Sequence, residues 1–474
     1  MAVRHALLEP FVPSAADPFD RVRAAHLLNR AGFGGTPAEV ERVLKLGPRD
    51  AADWLLDFPD APAEEQSKDD VPDLGAIEGL PSSFREYRRQ VARLPLEERQ
   101  ALQMVFQRAT TEAIRQIGSW WLARMAYGPF PLQEKLTLFW HGHFTTSAKD
   151  ERAATLIWRQ NELLRQQAAG NFRDFVRNVS RDPAMLDYLN NTQNHKSRPN
   201  ENYARELMEL FTLGIGNYTE QDVKEAARAF TGWTHDGDDF FFNKRTHDDG
   251  EKLFLGRRGT FDGDDVIDLI LQRDICPRYV AGKVYRHFVS DDLDDALNRA
   301  LGDLLWQARY DLRPMLRTLL ASKAFYRREN IGVQIKSPVQ LVVGTVRVLG
   351  RSMPDAQALA GPLRQMGQVP LMPPNVKGWP GGRLWVNTST LFARYNAAVR
   401  IVDNTDLGRL TREMNPGRDP ATVADAWLER LIGRPIDQEK RQTLIDALDG
   451  RAEQNENVRK MVQLIVSMPE YQLC

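Results

Sequence analysis

Polar residues that could do acid–base chemistry are densest between Leu189 and Gly216. On a helix over 201–213, at 100° per residue, the polar face collects Glu201, Asn202, Arg205, Glu206 and Glu209. In one interpretation this face is solvated and carries i,i+4 ion pairs. In the other it lines a cleft, where Glu201 and Glu206 act as general acid and base. The substrate would then be bound by Asn194, Asn202 and Arg205. Spacing favours the solvated face, whereas the density of asparagine, a poor helix former, favours the cleft.

Two histidines, His141 and His143, are separated only by Gly142. Because they point about 200° apart on a continuous helix, they could bind one metal ion only if the helix stops at Gly142. Together with His247 they are the predicted metal ligands, and a divalent ion is the one cofactor that the sequence suggests. Imidazole and carboxylate suit zinc, manganese or iron. The alternative is that the histidines pack in the core and form hydrogen bonds within the protein.

Three further residues could take part in catalysis. Asp248 follows His247 directly, and His287 lies one helical turn after Lys283, so the lysine and this histidine share a helix face. We predict Asp248 and His287 as catalytic residues and Lys283 as a substrate-binding residue. A lysine this close would lower the tendency of His287 to become protonated.

Proline and glycine are concentrated in residues 373–382, which indicates an ordered, non-helical loop. Its tryptophan offers a flat apolar face, and donors lie in and after the loop, a mixture that suits a sugar or another polar ring compound. The predicted substrate-binding residues of this kind are Lys377, Trp379, Asn387 and Arg394, with Trp140 and Trp233 as further stacking surfaces. The alternative is a rigid cover packed on the core by its tryptophans.

The elements that must position these residues are nearly all helical. Thr36, Thr219 and Ser337 stand at helix-start signals, and Asn200 is expected to cap the helix that carries the first polar cluster. Strand-like alternation is scarce, so residues 240–255 predict at most one short hairpin. The predicted fold is mainly α: a single large multi-helical domain with a long irregular Pro/Gly-rich loop.

Composition shifts suggest how the chain is organised. Residues 1–19 are predicted to be an N-terminal tail, and residues 20–403 a main helical domain. A stretch near 57–83, rich in Pro, Asp, Glu and Gly without periodicity, is predicted to be a mobile insertion. Residues 404–474 are predicted to form a C-terminal helical unit packed on the main domain.

Charge and length narrow the class of protein. The 474 residues carry 63 Lys and Arg against 64 Asp and Glu, a net charge of -1, which gives no indication of a nucleic-acid partner. No apolar stretch reaches the ~18 residues of a membrane span. The start of the chain lacks the apolar region of a signal peptide, so we expect a soluble, cytoplasmic protein. Export to the periplasm together with a partner is the alternative.

Several motifs resemble one bacterial family, catalogued as domain of unknown function number 1800. They are residues 26–34 (HLLNRAGFG), 139–144 (FWHGHF), 199–207 (PNENYAREL), 229–234 (AFTGWT), 247–248 (HD) and 373–379 (PPNVKGW). The resemblance runs in order from about residue 20 to 474. It implies a single, mostly helical domain, often encoded beside a second uncharacterised family that is usually exported through the twin-arginine route. It implies no established reaction.

Three functions are consistent with these patterns. The first is an enzyme, a hydrolase acting on a carbohydrate-like or other polar substrate in a cleft lined by Glu, Asn, His and Trp. The second is a non-catalytic assembly or maturation partner of the co-encoded protein. The third is a metal-dependent oxidoreductase built on the histidines. The enzyme hypothesis requires motifs about 250 residues apart to meet in one pocket.

Overall fold

A computed structural model describes residues 5–66, 71–149, 153–350, 354, 356–452 and 454–474. It is 63% helical, and within these ranges the strands form only two small antiparallel hairpins. The prediction of a mainly α fold is therefore confirmed. Over the same ranges, no helix has both the length and the apolar character needed to cross a membrane.

The helices are numbered here in chain order. The first twelve are α1 (Arg21–Arg30), α2 (Pro37–Leu56), α3 (Ala63–Gln66), α4 (Phe84–Arg93), α5 (Leu96–Tyr127), α6 (Pro131–His143), α7 (Ala154–Gln166), α8 (Phe172–Arg181), α9 (Pro183–Tyr188), α10 (Asn202–Glu206), α11 (Glu220–Ala229) and α12 (Gly263–Leu271). The others are α13 (Ile275–Phe288), α14 (Asp295–Gln307), α15 (Leu312–Leu320), α16 (Lys323–Tyr326), α17 (Pro338–Val348), α18 (Ala356–Met366), α19 (Thr388–Asp403), α20 (Leu407–Met414), α21 (Pro420–Leu431), α22 (Gln438–Asp446) and α23 (Asn455–Ser467).

Three predicted helix starts are confirmed by their caps. The Thr36 side chain accepts from the Glu39 N–H while the Glu39 carboxylate accepts from the Thr36 N–H, a reciprocal capping box. Thr219 caps α11 in the same way, and the Ser337 hydroxyl accepts from the third residue of α17. Such caps contribute about 1 kcal/mol each.

The strands pair differently from the prediction. Instead of one hairpin over 240–255 there are two, in which β1 (Trp233–His235) pairs with β2 (Phe240–Phe242), and β3 (Lys252–Phe254) pairs with β4 (Arg257–Gly259). The reason lies in the turns. The β3–β4 turn consists of Leu255 and Gly256, both at positive φ, which is the geometry of a tight two-residue hairpin.

Buried apolar side chains form two large clusters, and α6 lies between them. The first cluster contains α1, α2 and most of α8–α16, and the second contains α5, α17 and α19–α23. Leu132, Leu136 and Trp140 of α6 pack in the first cluster, while Leu138 packs in the second. Because α6 is covered by apolar partners on both sides, its polar residues are buried as well.

The tail and the predicted insertion pack on this core where they are described. The Phe11 N–H donates to the Ala321 carbonyl at 2.8 Å, and the Ala63 N–H donates to the Glu162 carboxylate at 2.7 Å. Residues 1–4 of the predicted tail and 67–70 of the predicted insertion lie outside the described residues. The C-terminal helices α20–α23 share the second cluster with α5 and α17.

Candidate functional site

A cleft of about 730 Å³ opens where α1, α6 and α13 meet the loop that precedes α19. Phe139 of α6 and Trp379 and Trp385 of the loop give it apolar walls. Its Lys and Arg side chains are Arg30, Lys135, Lys283, Arg286, Lys377 and Arg383, whereas its carboxylates are Asp291 and Glu329. This excess of positive charge favours an anionic ligand.

His143 and Lys283 form a hydrogen-bonded pair in the wall of the cleft. The Lys283 amine donates to Nδ1 of His143 at 2.9 Å, and Nε2 of His143 donates to the carbonyl of Phe211 at 3.1 Å. Since Nε2 carries the proton in that contact, Nδ1 keeps the lone pair that faces Lys283. Burial, and then the charge of Lys283, holds the pKa of His143 well below its usual range. Burial lowers the pKa of Lys283 to about 8.

The carbonyls that hold this pair belong to a π-helical segment, Leu207–Thr212, which continues α10. The Leu213 N–H donates to the carbonyl of Met208, five residues earlier, at 2.9 Å. In this wider turn the Leu210 carbonyl accepts from Lys283 at 3.3 Å instead of completing an α-helix. Such turns are frequent at functional sites. A helix is therefore present over 202–212, close to the expected 201–213, but its second half is π-helical instead of regular. As expected of a cap, the Asn200 side-chain oxygen accepts from the Asn202 N–H at 3.0 Å.

The opposite end of the cleft is formed by Arg30, Lys135 and His287. Arg30 donates to the carbonyls of Phe288 at 3.0 Å and His287 at 2.7 Å, and to the Cys474 sulfur at 3.3 Å. The His287 ring lies 4.9 Å from that of Phe139, centroid to centroid. Burial, followed by the charges of Lys135 and Arg30, holds the pKa of His287 well below its usual range.

The Pro/Gly-rich loop closes against the end of α6. Gly378, at φ 79°, lies so near Gly142 that a Cβ atom there would be 2.3 Å from the Gly142 carbonyl oxygen. The helix does not stop at Gly142, as a shared metal ion at His141 and His143 would require, because α6 continues through His143. The close approach depends on Gly378, because a Cβ atom at Gly142 would lie 3.7 Å from the Trp379 ring, an ordinary van der Waals contact.

The three predicted metal ligands have different surroundings. His141 packs against the rings of Trp121 and Trp379, at 5.6 and 5.3 Å, and its burial lowers its pKa to about 4. Nδ1 of His247 lies 2.8 Å from the carbonyl of Thr231, away from the cleft lining. Among the described residues, no group of three or more His, Cys, Asp or Glu is arranged to hold a metal ion. The structure therefore does not bring His141, His143 and His247 together.

The predicted catalytic carboxylates do not line the cleft. Glu201 forms the expected i,i+4 ion pair with Arg205 at 2.9 Å, and Arg205 also pairs with Glu220. Asp248 is paired with an arginine outside the cleft, and the hydrogen bond from that Arg228 side chain lowers its pKa.

Among the predicted carboxylates, Glu206 is the one whose pKa is influenced by a residue of the cleft. It is half-buried, and burial together with the neighbouring Glu209 raises its pKa. Lys377, which lines the cleft, is close enough to oppose that rise. Glu206 therefore lies at the margin of the site.

Three predicted substrate-binding residues are buried in the protein interior. Trp140 is 1% exposed, and its indole N–H donates to the Ala168 carbonyl at 2.8 Å. Trp233 packs edge-on against neighbouring aromatic rings. Arg394 is fully buried and donates to the side chain of Gln472 at 2.8 Å. All three contact other parts of the protein, and none of them lines the cleft.

The predicted asparagines have structural partners as well. Asn194 is buried, donates to the Ala227 carbonyl at 2.9 Å and accepts from the Asn200 N–H at 2.9 Å. Asn387 caps the start of α19, and Asn202 is exposed at the start of α10. The high density of asparagine that indicated a cleft is thus explained in part by cross-links between backbone segments.

Five predicted residues therefore meet in the cleft: His143, Lys283, His287, Lys377 and Trp379. Sequence reasoning missed four of its cations, Arg30, Lys135, Arg286 and Arg383. A signal existed for Lys135, because apolar residues at Leu132, Leu136 and Leu138 leave this lysine no solvent-facing side of α6. The others are not marked by any local pattern that we can identify.

Comparison with known proteins identifies the family. No curated protein and no solved structure matches the chain. Residues 26–473 match the family described as protein of unknown function (DUF1800), which covers nearly the whole chain. The chain therefore belongs to this family of proteins of unknown function.

Proposed function

We propose that the protein is an enzyme, a hydrolase that acts on a carbohydrate-like or other polar molecule bound in the cationic cleft, with Lys283 as general base. The observation that carries this proposal is the 2.9 Å contact between the Lys283 amine and Nδ1 of His143 in the cleft wall. Neutral Lys283 removes a proton from a water molecule as the water oxygen bonds to the electrophilic atom of the scissile bond. The scissile bond breaks, and the leaving group departs with its electron pair and is protonated by solvent. Lys283, now an ammonium, then returns its proton to solvent.

The environment of Lys283 supports this role. A general base is most effective when its pKa is near the working pH, and burial lowers the pKa of Lys283 to about 8. His143 orients the amine, because its ring is fixed at the other nitrogen by the Phe211 carbonyl. The tryptophans and Phe139 give a polar ring compound apolar surfaces to contact.

The two other hypotheses have less support. A metal-dependent oxidoreductase would need the histidines to converge, whereas His143 and His287 alone of the predicted set line the cleft. A non-catalytic partner of the co-encoded protein remains a second proposal, since Leu384 and Phe392 expose large apolar side chains near the cleft-lining loop. That role does not account for a lysine whose pKa burial lowers to about 8.

The test is hydrolysis of four p-nitrophenyl compounds (acetate, phosphate, sulfate and β-glucoside) by the wild type and Lys283→Met. We expect the wild type to release p-nitrophenol from at least one, with a rate that rises through about pH 8 as Lys283 loses its proton. We expect Lys283→Met to reduce kcat by about 100-fold or more.

The matched control is Lys244→Met, since Lys244 is exposed and outside the cleft lining. It should retain wild-type kcat, and circular dichroism should show that both variants are folded. Wild-type rates in Lys283→Met, or no hydrolysis of any of the four compounds by the wild type, would overturn the proposal.

A further inference from the structure

Lys135 is a buried lysine for which the structure shows no partner. It is 5% exposed and lines the cleft. In the described part of the chain its amine forms no ion pair and no hydrogen bond, and it lies over the Phe33 ring, 5.2 Å from the ring centroid. A buried ammonium without a counter-charge is unfavourable, and burial accordingly lowers the pKa of Lys135 to about 7.

The charged groups around Lys135 do not supply that counter-charge. Arg30 and Lys336 are positive and lower its pKa further, while Cys474 acts in the opposite direction. The Cys474 thiol has its own pKa raised by burial but lowered overall by Arg30, Lys135 and Lys336. Three basic side chains, Arg30, Lys135 and Lys336, therefore surround one thiol, and this leaves an excess of positive charge at the end of the cleft.

Hydrogen-bonding groups at this end are also unused. The Nε2 atom of His287 is buried and has no partner among the described residues. Arg30 uses three of its five N–H groups in the contacts with Phe288, His287 and Cys474. Two guanidinium N–H groups, the His287 nitrogen and the Lys135 ammonium thus remain for a ligand.

We propose that Arg30, Lys135 and His287 form a subsite for an oxyanion, a carboxylate, sulfate or phosphate group. An oxyanion supplies the missing charge and accepts several N–H donors at once. The inference rests on the proposed function only in taking this group to be part of the substrate.

The position of the subsite suits that role. The Phe139 ring lies near both histidines, 4.9 Å from His287 and 6.3 Å from His143, centroid to centroid. The subsite and the Lys283–His143 pair are therefore neighbours along one cleft. A substrate anchored at Lys135 by its anionic group can present its scissile bond to Lys283 across Phe139.

The test is isothermal titration of the full-length chain with sodium sulfate, phosphate and acetate at pH 6.5, with ionic strength held constant by chloride. We expect the wild type to bind at least one oxyanion, and Lys135→Met to bind it at least ten-fold more weakly. Tighter binding of phosphate or sulfate than of acetate indicates a substrate with a phosphate or sulfate ester, and the reverse order indicates a carboxylate. Lys244→Met should bind like the wild type.

The outcomes separate this inference from the proposed function. Binding of an oxyanion that depends on Lys135, without hydrolysis of any p-nitrophenyl compound, supports the subsite and overturns the hydrolase. Hydrolysis that depends on Lys283, with no oxyanion binding or with equal binding by Lys135→Met, overturns the subsite alone. Lys135→Met removes a buried charge, so we expect it to fold, and its thermal unfolding confirms this before titration.

Discussion

Glu134 and Lys135 are adjacent residues of α6, are both buried, and lie in opposite electrostatic environments. Glu134 accepts from Arg124 at 2.7 Å and from Arg165 at 2.8 Å, and the Trp121 indole N–H donates to it at 2.9 Å. Although burial alone would raise its pKa, the two arginines hold the pKa of Glu134 below its ordinary value. Lys135, one residue later, has no comparable partner in the described residues.

This difference indicates what each region is for. In the Glu134 network every charge is balanced, so the network fixes α5, α6 and α7 relative to one another. Around Lys135 the same helix keeps a charge unbalanced, at a cost in stability. Unbalanced buried charge in a cleft is typical of a binding site, whereas balanced buried charge is typical of structural networks.

The largest change in stability is expected when an arginine is removed from the Glu134 network. Arg165 is fully buried and bonds Glu134 and Glu162, and it lies over the Trp120 ring. Replacing it in Arg165→Met leaves a buried carboxylate short of a partner. We expect the free energy of unfolding, measured by urea denaturation, to fall by about 3–5 kcal/mol.

An exposed ion pair provides the comparison for that loss. Arg441 and Asp425 form a two-bond pair at the surface, with both N···O distances 2.7 Å. Because solvent screens an exposed pair, Arg441→Met should lower the free energy of unfolding far less than Arg165→Met does. Equal losses in Arg165→Met and Arg441→Met would mean that the buried network has no special role.

Substitution of Lys135 is expected to stabilise the protein, in contrast to substitution of Arg165. Since its burial is unfavourable while it is charged, Lys135→Met should raise the free energy of unfolding at pH 6, by about 2–3 kcal/mol. Lysine in the unfolded chain titrates near pH 10.4, whereas burial lowers the pKa of folded Lys135 to about 7. As pH rises from about 7 to about 10, the wild type therefore loses the destabilisation caused by burying the Lys135 ammonium. The difference in free energy of unfolding between Lys135→Met and the wild type shrinks over that range.

Urea denaturation of both proteins from pH 6 to pH 10 measures this difference. Lys244→Met, which changes an exposed lysine, should show no such dependence on pH. If Lys135→Met were less stable than the wild type, or if their difference in free energy of unfolding did not change with pH, burial of charged Lys135 would not destabilise the protein.

A smaller change in stability is expected from a substitution where the Pro/Gly-rich loop contacts α6. In Gly378→Ala the new methyl group would lie 2.3 Å from the Gly142 carbonyl oxygen, at a backbone φ of 79° that disfavours side chains. We expect the free energy of unfolding, measured by urea denaturation, to fall by about 1–2 kcal/mol. Gly381→Ala, in the same loop but with open space around its Cβ, should leave the free energy of unfolding unchanged.

Local signals explain how much of the fold was predictable. The caps at Thr36, Thr219 and Ser337 depend on residues within one turn, so their sequence patterns were sufficient. The π-helix was not predictable, because its free carbonyls are satisfied by Lys283 and His143, which come from distant helices. Pairing of the short strands likewise depended on turn conformations at positive φ.

The sequence indicates which residues of the cleft could do chemistry, but it does not indicate their partners. Lys283 and His287 were found because one helical turn separates them, although the partner of Lys283 proved to be His143. Asn194 and Arg394 donate to backbone carbonyls, a use that the sequence does not distinguish from binding a ligand. Lys135 was missed although its apolar neighbours in α6 left it no exposed side.

The most direct test of the unbalanced cleft is a crystal structure of the protein soaked in selenate, an oxyanion located by the anomalous scattering of selenium. In wild-type crystals we expect an anomalous peak within hydrogen-bonding reach, about 3 Å, of the Lys135 amine and near Nε2 of His287. Crystals of Lys135→Met should lack that peak. Selenate bound only outside the cleft in the wild type, or bound equally in the variant, would contradict the assignment of Lys135 to ligand binding.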